Sequence, residues 1–442
     1  MKEQTSIPKH KFGRAASLTA AGARVGVNYL KFAGKKAITG KETKAEFHEA
    51  TAAEAFGTFS KLKGGPLKLA QMLSMDRNLL PEPYVREFSK AQYSAPPLSY
   101  PLVVKTFQSE LGSPPSDLFD SFTKKAVAGA SIGQVHKAES NGHDYAIKVQ
   151  YPGVADSIHS DLAIVKPLAM RLFKLDAASI NPYLKEVEER LTEETNYLLE
   201  LRRSQELAEQ SKHLDRIRFP GFHPELSTRR ILTMDWVHGE VLDQFFERNT
   251  DQALANQIGQ SLWDFYHHQV HNLRVFHADP HPGNFKVHDN ELWILDFGCV
   301  KELPDTFYRQ YFSLMEPEIF NTPQKFQELL YKIGLLLPDD SPTAVRKLTD
   351  IFHESVDLLS RPFQQETFDF GDESYFRELA DFGDRTRDDA ELQALNSARG
   401  NADALYLNRT YFGLYNLAGA LKAELKTTRP EPLKPSQHRL PA

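Results

Sequence analysis

The stretch that decides the fold prediction is His277-Ala-Asp-Pro-His-Pro-Gly-Asn284-Phe-Lys-Val-His-Asp-Asn-Glu-Leu-Trp-Ile-Leu-Asp296-Phe-Gly298. Two short apolar-rich runs flank the polar triplet 288–290, and this pattern predicts a β-hairpin. Because a hairpin returns its end to its start, we expect Asn284 and Asp296 to face one site, with Asp279 in the loop that leads into it. Two carboxylates and an amide oxygen are hard ligands suited to Mg²⁺. The stretch therefore predicts phosphoryl-transfer chemistry.

The spacing of these residues matches the catalytic and metal-binding loops of kinases. An Asp, four intervening residues, an Asn, a hairpin and Asp-Phe-Gly follow one another within 22 residues. On this template Asp279 is the catalytic residue that orients the nucleophile, and Asn284 and Asp296 bind the metal. His277 and His281 leave a transition-metal site as the alternative, although kinase-like loops use such histidines to hold the backbone and Mg²⁺ rarely accepts imidazole.

A strand upstream carries the lysine that such a site needs. Alternating polar and apolar residues predict strands at 126–138 and 144–150, joined by a turn at 140–143. Lys148 projects from one face of the second strand, which is the arrangement required of a lysine that contacts nucleotide phosphates.

A helix and a third strand complete the predicted nucleotide site. Apolar residues recur at helical spacing from 182 to 210, and Glu200 on this helix is the expected ion-pair partner of Lys148. The strand predicted at 230–237 ends in a hinge segment, where backbone groups of Asp235 and Val237 are expected to pair with adenine.

The composition of the 442-residue chain excludes several classes of protein. A net charge of -6 with both signs well mixed argues against a general nucleic-acid binder. A single cysteine, Cys299, excludes a disulfide framework and a cysteine-based zinc site, so we expect a reducing compartment. The sequence lacks a run of about 18 apolar residues, which argues against a transmembrane helix.

Four motifs make the chain resemble the UbiB-type (AarF/ADCK/ABC1) atypical kinases over roughly residues 8–420. One is the stretch 277–298 itself. Lys68-Leu-Ala-Gln71 resembles the family's Lys-x-Gly-Gln motif, and Glu194-Thr-Asn-Tyr197, followed by Glu200, resembles its Glu-x-Asp motif. The segment 128–136 resembles the alanine-rich nucleotide loop of the family. This last resemblance implies that the nucleotide is contacted by Ala128, Gly129, Ala130 and Ser131.

The resemblance also implies a regulatory cover over the nucleotide. Lys68 and Gln71 are three residues apart, so they share one face of a helix, and in the family that face covers the mouth of the nucleotide cleft and obstructs a protein substrate. Glu194 and Glu200 are six residues apart, or about 120° around one helix, so they can serve different lysines. We assign Glu194 to Lys68.

Three signature positions depart from the family pattern. Gly129 stands where the family usually has alanine, Ala70 where it has glycine, and Asn196 where it has aspartate. Alanine side chains keep a loop backbone away from phosphates, so Gly129 partly restores the close approach that glycine permits.

The implied fold class is α+β, a two-lobed protein-kinase-like fold. A helical extension at 46–122 is expected to precede a small β-rich N-lobe at 123–237 and a mostly helical C-lobe at 238–425. Residues 1–45 carry ten Lys or Arg and two acidic residues, so this segment is either an interfacial membrane segment or a flexible basic arm. The Pro-rich residues 426–442 are predicted to be a disordered tail.

The resemblance implies that the chain binds ATP or ADP with Mg²⁺ and acts as an ATPase or as a small-molecule or lipid kinase. Its expected setting is ubiquinone or other prenyl-lipid biosynthesis, with a prenyl lipid, a membrane surface and lipid-biosynthesis proteins as partners. The short segment before Ser6 favours a bacterial, cytoplasmic protein that is peripheral on the inner membrane. Two alternatives are an aminoglycoside- or choline-kinase-like phosphotransferase and a nucleotide-binding pseudokinase scaffold for a lipid or partner protein.

Overall fold

A computed structural model describes residues 98–130, 132–173, 177–389, 391–392 and 402–427, together with seven isolated positions before residue 98. Several predictions concern residues outside this set. These are the basic segment 1–45, most of the extension 46–122, the cover residues Lys68 and Gln71, Ser131 of the alanine-rich loop, and the tail from 428 onward.

The chain divides into two compact units, each with its own helices and strands. The N-unit comprises Met1–Arg202 and Gly221–Trp236, and the C-unit comprises Arg203–Pro220 and Val237–Ala442. None of the helices in the described part of the chain is long and apolar enough to cross a membrane.

The strands of the described residues are short, and most of them pair in an antiparallel manner. In chain order they are β1 (Ser121–Phe122), β2 (Ala128–Gly129), β3 (Gly133–Ser140), β4 (His143–Gln150), β5 (Ile217–Arg218), β6 (Ile231–Asp235), β7 (Glu240–Val241), β8 (Val275–His277), β9 (Phe285–His288), β10 (Glu291–Ile294), β11 (Val300–Glu302), β12 (Thr367–Asp369) and β13 (Glu424–Lys426).

The helices lie mainly after the strands of the N-unit. In chain order they are α1 (Tyr100–Leu111), α2 (Pro115–Leu118), α3 (Val154–Phe173), α4 (Ala177–Glu194), α5 (Tyr197–Ser211), α6 (Leu242–Arg248), α7 (Gln252–His268), α8 (Asp305–Ser313), α9 (Pro317–Phe320), α10 (Pro323–Lys332), α11 (Pro342–Ser360), α12 (Glu373–Asp388) and α13 (Ala402–Ala420). A π-helical turn, Gln269–Leu273, follows α7 directly.

An antiparallel sheet in the order β1-β3-β4-β6, with β2 paired to β3, forms the centre of the N-unit. Asn141 and Gly142 both have positive φ, 53° and 75°, so the β3–β4 hairpin closes through the two-residue turn that Asn-Gly favours. The strand predicted at 126–138 is divided, because the chain turns between Ala130 and Gly133, where the Ala130 N–H donates to the Gly133 carbonyl at 2.9 Å.

The two faces of this sheet have different surroundings. Alternation along β4 places Ile147 and Val149 on one face and Lys148 on the other. Ile147 and Val149 belong to a buried apolar cluster that also contains Val103 and Phe107 of α1. The packed face therefore anchors the strand, and the lysine lies on the opposite face.

The helix predicted at 182–210 is two helices. α4 ends at Glu194 and α5 begins at Tyr197. The Asn196 carbonyl accepts from the Glu200 N–H at 3.2 Å, so Asn196 lies at the start of α5, where Asn is a favoured residue. The angle of about 120° between Glu194 and Glu200, which assumed one continuous helix, is therefore wrong.

The C-unit packs its helices around α7, whose buried residues include Leu262, Trp263 and Tyr266. Its main sheet has the order β5-β10-β9-β7. The hairpin predicted from the opening stretch is confirmed, because β9 and β10 pair antiparallel. Asp289 and Asn290, with φ of 51° and 60°, form its two-residue turn.

The last described residues form a strand. β13 pairs with β12, and the Lys426 carbonyl accepts from Gln260 Nε2 of α7 at 3.1 Å. The disordered tail predicted from 426 therefore does not include Lys426, because Leu425 is fully buried and fixes the strand on the C-unit.

Candidate functional site

The N-unit holds Lys148 in a buried ion pair, as the sequence predicts. Lys148 Nζ lies 2.7 Å from Glu200 Oε1, and the two side chains are only 6% and 4% exposed. Nζ also lies 5.1 Å from the centre of the Tyr197 ring, a cation–π contact. Glu200 and Tyr197 both belong to the first turn of α5, so the start of this helix positions the lysine.

The cover is only partly within the described residues. Glu194 is buried at the end of α4, consistent with a carboxylate that has a structural partner. Lys68, the partner assigned to it, and Gln71 lie outside the described residues, so their pairing stays a prediction.

The alanine-rich loop is an exposed turn with one crowded position. Ala128 and Gly129 are exposed, and Ala130 is half-buried. A Cβ placed on Gly129 would meet no atom of the described residues within 4 Å, whereas a Cβ on Gly133 would lie 2.6 Å from both Tyr197 Oη and the Val149 carbonyl oxygen. Steric crowding therefore requires glycine at 133 but leaves room for the family's alanine at 129.

The predicted hinge segment already carries several hydrogen bonds. The Asp235 N–H donates to the Gly221 carbonyl at 2.8 Å, so this backbone donor has a partner within the N-unit. The Val237 carbonyl accepts from Lys286 Nζ at 2.7 Å within the C-unit. Burial lowers the pKa of Lys286, a residue that the motif analysis does not identify.

The C-unit brings the predicted metal ligands to one end of the β9–β10 hairpin. The Leu295 N–H donates to the Asn284 carbonyl at 2.9 Å across the hairpin, so Asp296, the next residue, follows directly after this contact with Asn284. The Gly298 N–H donates to Asp296 Oδ1 at 2.7 Å and orients that carboxylate. Asn284 Nδ2 donates to the Asp279 carbonyl at 2.9 Å, which leaves the side-chain oxygen of Asn284 as its group for a cation.

Helix α13, the last helix of the described residues, contacts the catalytic loop. The sequence motifs do not identify this helix. Arg409 Nη2 lies 2.7 Å from Asp279 Oδ1. Gly413, one turn further along α13, lies so close to Pro280 that a side chain there would overlap the proline ring. Arg409 and Gly413 are four residues apart and share a helix face, so α13 positions both Asp279 and the residue after it.

The two histidines of the loop hold its backbone and side chains. His277 is fully buried, and its backbone N–H donates to Gln269 Oε1 at 2.9 Å. Its ring nitrogen Nδ1 lies 3.2 Å from the Tyr266 hydroxyl. His281 Nδ1 accepts from the Gly283 N–H at 3.1 Å. Within the described residues, neither histidine belongs to a cluster of three His, Cys, Asp or Glu ligands, so the transition-metal alternative at this loop has no support.

Comparison with known proteins identifies the same architecture. The model of the ABC1 atypical kinase-like domain matches residues 90–329. Among solved structures, the Mycobacterium tuberculosis protein Rv3197, determined in complex with erythromycin, has a similar fold, with a TM-score of 0.58. Its sequence is 25% identical to this one, and the match covers 87% of this chain and 95% of that chain. The predicted two-lobed, kinase-like α+β fold is confirmed.

Two curated relatives extend this similarity. The probable serine/threonine-protein kinase abkA of Dictyostelium discoideum is 26% identical over 96% of this chain and 78% of its own length. The mitochondrial atypical kinase COQ8B of Danio rerio is 27% identical over 84% of this chain and 61% of its own length. The chain thus spans less than two thirds of the second relative.

The two glycines of the nucleotide loop give a matched test of loop packing. We expect Gly133→Ala to lower the free energy of unfolding by about 1–3 kcal/mol, because the new methyl group overlaps Tyr197 and a strand carbonyl. Gly129→Ala, the control, adds a methyl group that meets no described atom and should change the free energy of unfolding by less than about 0.5 kcal/mol. Urea unfolding curves of the full chain measure both, and equal stability of the two variants would contradict the crowding at Gly133.

The buried ion pair can be tested by removing its cation. Lys148→Met leaves the Glu200 carboxylate buried without its ion-pair partner, so we expect the free energy of unfolding to fall by about 3–5 kcal/mol. Adding Glu200→Gln to this variant should restore part of the loss. Lys185→Met is the control, because Lys185 forms an exposed pair with Glu189 and should cost less than about 1 kcal/mol. Similar urea midpoints for the two single variants would show that Lys148 is not held as described.

Proposed function

The chain belongs to the ABC1 atypical kinase-like family, and from this premise we propose that it is a Mg²⁺-dependent ATPase or a small-molecule or lipid kinase. The observation that carries the proposal is the end of the β9–β10 hairpin, where Asn284 and Asp296 meet beside a loop that presents Asp279. The donor set fits Mg²⁺, because it consists of carboxylate and amide oxygens.

Each residue has a separate role in this proposal. Lys148, held by Glu200, would bind the α- and β-phosphates, and the exposed residues Ala128 and Gly129 would contact the nucleotide. Asn284 and Asp296 hold Mg²⁺, which neutralises phosphate charge when it is bound. Asp279 accepts a hydrogen bond from the attacking hydroxyl or water and orients it.

We propose isoprenoid lipid biosynthesis at a membrane surface as the setting, with a prenyl lipid and lipid-biosynthesis proteins as partners. Two observations support this proposal. The family includes COQ8-type atypical kinases, and the basic segment 1–45 has the charge that anionic lipid surfaces attract. We propose that this basic segment mediates peripheral association from the cytoplasmic side.

ATP turnover of the purified chain with Mg²⁺ tests the proposed activity. We expect Asp296→Asn to lower turnover about a hundredfold or more, because it removes a charged oxygen ligand of the metal. Asp289→Asn is the control. It makes the same chemical change at the opposite end of the same hairpin, where Asn tolerates the positive φ.

Two results would overturn the ATPase or kinase proposal, and a third would overturn its prenyl-lipid setting. The first is equal turnover of the two Asp variants. The second is thermal stabilisation by nucleotide with no hydrolysis or transfer in the wild-type chain, which would identify a pseudokinase. The third is efficient phosphorylation of a soluble aminoglycoside or choline, which would identify a soluble-amine or sugar phosphotransferase.

Arg409 is expected to act as a positioning residue for Asp279. Arg409→Ala removes the 2.7 Å ion pair and should lower kcat about 10- to 100-fold with little change in the KM for ATP, because Asp279 loses its orientation. Arg409→Lys should recover only part of the rate, since a point charge does not reproduce a guanidinium contact. Arg385→Ala, which removes a surface ion pair of the same unit, serves as the control. An unchanged kcat in Arg409→Ala would contradict this role.

A further inference from the structure

A cluster of two histidines and one aspartate lies at one end of the N-unit sheet. His143 Nε2 and His223 Nε2 lie 2.7 and 2.8 Å from the same oxygen, Asp235 Oδ1. All three ligand atoms lie within 4.8 Å of one another. The other oxygen, Asp235 Oδ2, accepts from the Gly221 N–H at 2.8 Å, which fixes the orientation of the carboxylate.

Strand register explains why these three side chains meet. Tyr145 of β4 is directly opposite Asp235 of β6, so His143, two residues before Tyr145, shares its face of the sheet. On the other side of β6, Phe222 bridges to Met234, which puts His223 on the face of Asp235. The cluster therefore has its aspartate at the end of β6, the last strand of the sheet, with one histidine on the neighbouring strand β4 and the other on the segment bridged to the far side of β6.

The same register separates the cluster from the nucleotide lysine. Lys148 is three residues from Tyr145 along β4, so its side chain projects from the opposite face. Whatever the cluster binds is therefore a different ligand from the phosphates that Lys148 is proposed to contact.

The surroundings of the cluster suit a metal ion. The Tyr145 ring packs against both imidazoles, with centroid distances of 4.6 and 4.9 Å, and limits their rotation. His223 Nδ1 lies 3.3 Å from Glu225 Oε1, so a second carboxylate can orient that imidazole, as is common for metal-bound histidine. The side chains of His143, Asp235 and His223 are 50%, 35% and 23% exposed, which leaves an open side for an ion and a water ligand.

We propose that His143, His223 and Asp235 bind a divalent transition metal ion of the Zn²⁺ type. Two imidazoles, one carboxylate and a water complete a four-coordinate site. Ligands of tetrahedral Zn²⁺ are about 3.3 Å apart, so each histidine has to move about half an ångström from its hydrogen bond with Asp235. Mg²⁺ is excluded because it rarely accepts imidazole, which separates this site from the proposed nucleotide metal.

A bound ion would cross-link three segments of the N-unit. The ion would join the start of β4, the segment 221–223 and the last residue of β6, and so would stabilise the folded N-unit. Stabilisation grows with free metal concentration according to the affinity of the site.

Titration of the metal-free full-length chain with Zn²⁺ by calorimetry, and with Co²⁺ by visible absorption, tests this inference. We expect one equivalent to bind, with the intense d–d bands of four-coordinate Co²⁺ and a rise in the thermal midpoint. His143→Gln and His223→Gln should each weaken binding about 100-fold or more, since even second-shell losses cost about 10- to 100-fold. His159→Gln is the control, because His159 of α3 pairs with Glu188 of α4, and among the described residues this pair belongs to no cluster of three ligands.

Each result of these titrations either supports or overturns the proposed metal site. The proposal is supported if binding is lost in the two ligand variants and retained in His159→Gln. It is overturned if the wild-type chain binds no metal, or if either ligand variant binds as tightly as the control. Thermal unfolding of each variant without metal verifies that it is folded, and half-exposed His143 supplies a tolerant site if His223→Gln unfolds. Nucleotide is absent throughout, so failure of the proposed ATPase activity leaves the result unaffected.

Discussion

The ion pair between Lys148 and Glu200 is the interaction on which the N-unit depends most. Removing two charges from water costs several kcal/mol per ion unless their geometry is good, so the surrounding elements must hold both groups firmly. The central strand β4 fixes Lys148, and the break after Glu194 allows a new helix to start at Tyr197 and present Glu200 in its first turn. A carboxylate is favoured in that position by the helix dipole. Gly133 leaves the space that Tyr197 occupies beside the lysine.

The oxygen ligands of the C-unit depend on contacts that are distant in the sequence. The β9–β10 hairpin alone brings Asn284 and Asp296 together, because its register is set by a local turn. The loop that contains Asp279 has local hydrogen bonds, such as the one from Asn284 Nδ2 to the Asp279 carbonyl, but it also depends on distant contacts. It is held by Gln269 on the π-helical turn and by Arg409 on the last helix. A helix that carries no kinase motif therefore determines the orientation of the residue expected to contact the nucleophile.

What the sequence predicts and what it misses follow from the range of the interactions. Period-two alternation and the Asn-Gly and Asp-Asn turns predict both hairpins, and the kinase spacing predicts the pairing of Lys148 with Glu200. The break before α5 is missed because the apolar period continues across it. Arg409 is missed because 130 residues separate it from Asp279, and neither composition nor spacing links the two. The assignment of Lys68 to Glu194 stays a prediction.

The pair of strands β4 and β6 carries the nucleotide lysine on one face of the N-unit sheet and the proposed metal ligands on the other. β4 carries Lys148 on one face and His143 on the other, and β6 carries Asp235 opposite Tyr145. A slip of one residue between these strands would turn every side chain of one strand to the other face. Such a slip would bury Lys148 in the apolar cluster and would separate Asp235 from His143. An ion held across β4 and β6 would therefore stabilise the register that also presents the nucleotide lysine, with no contact between the two sites.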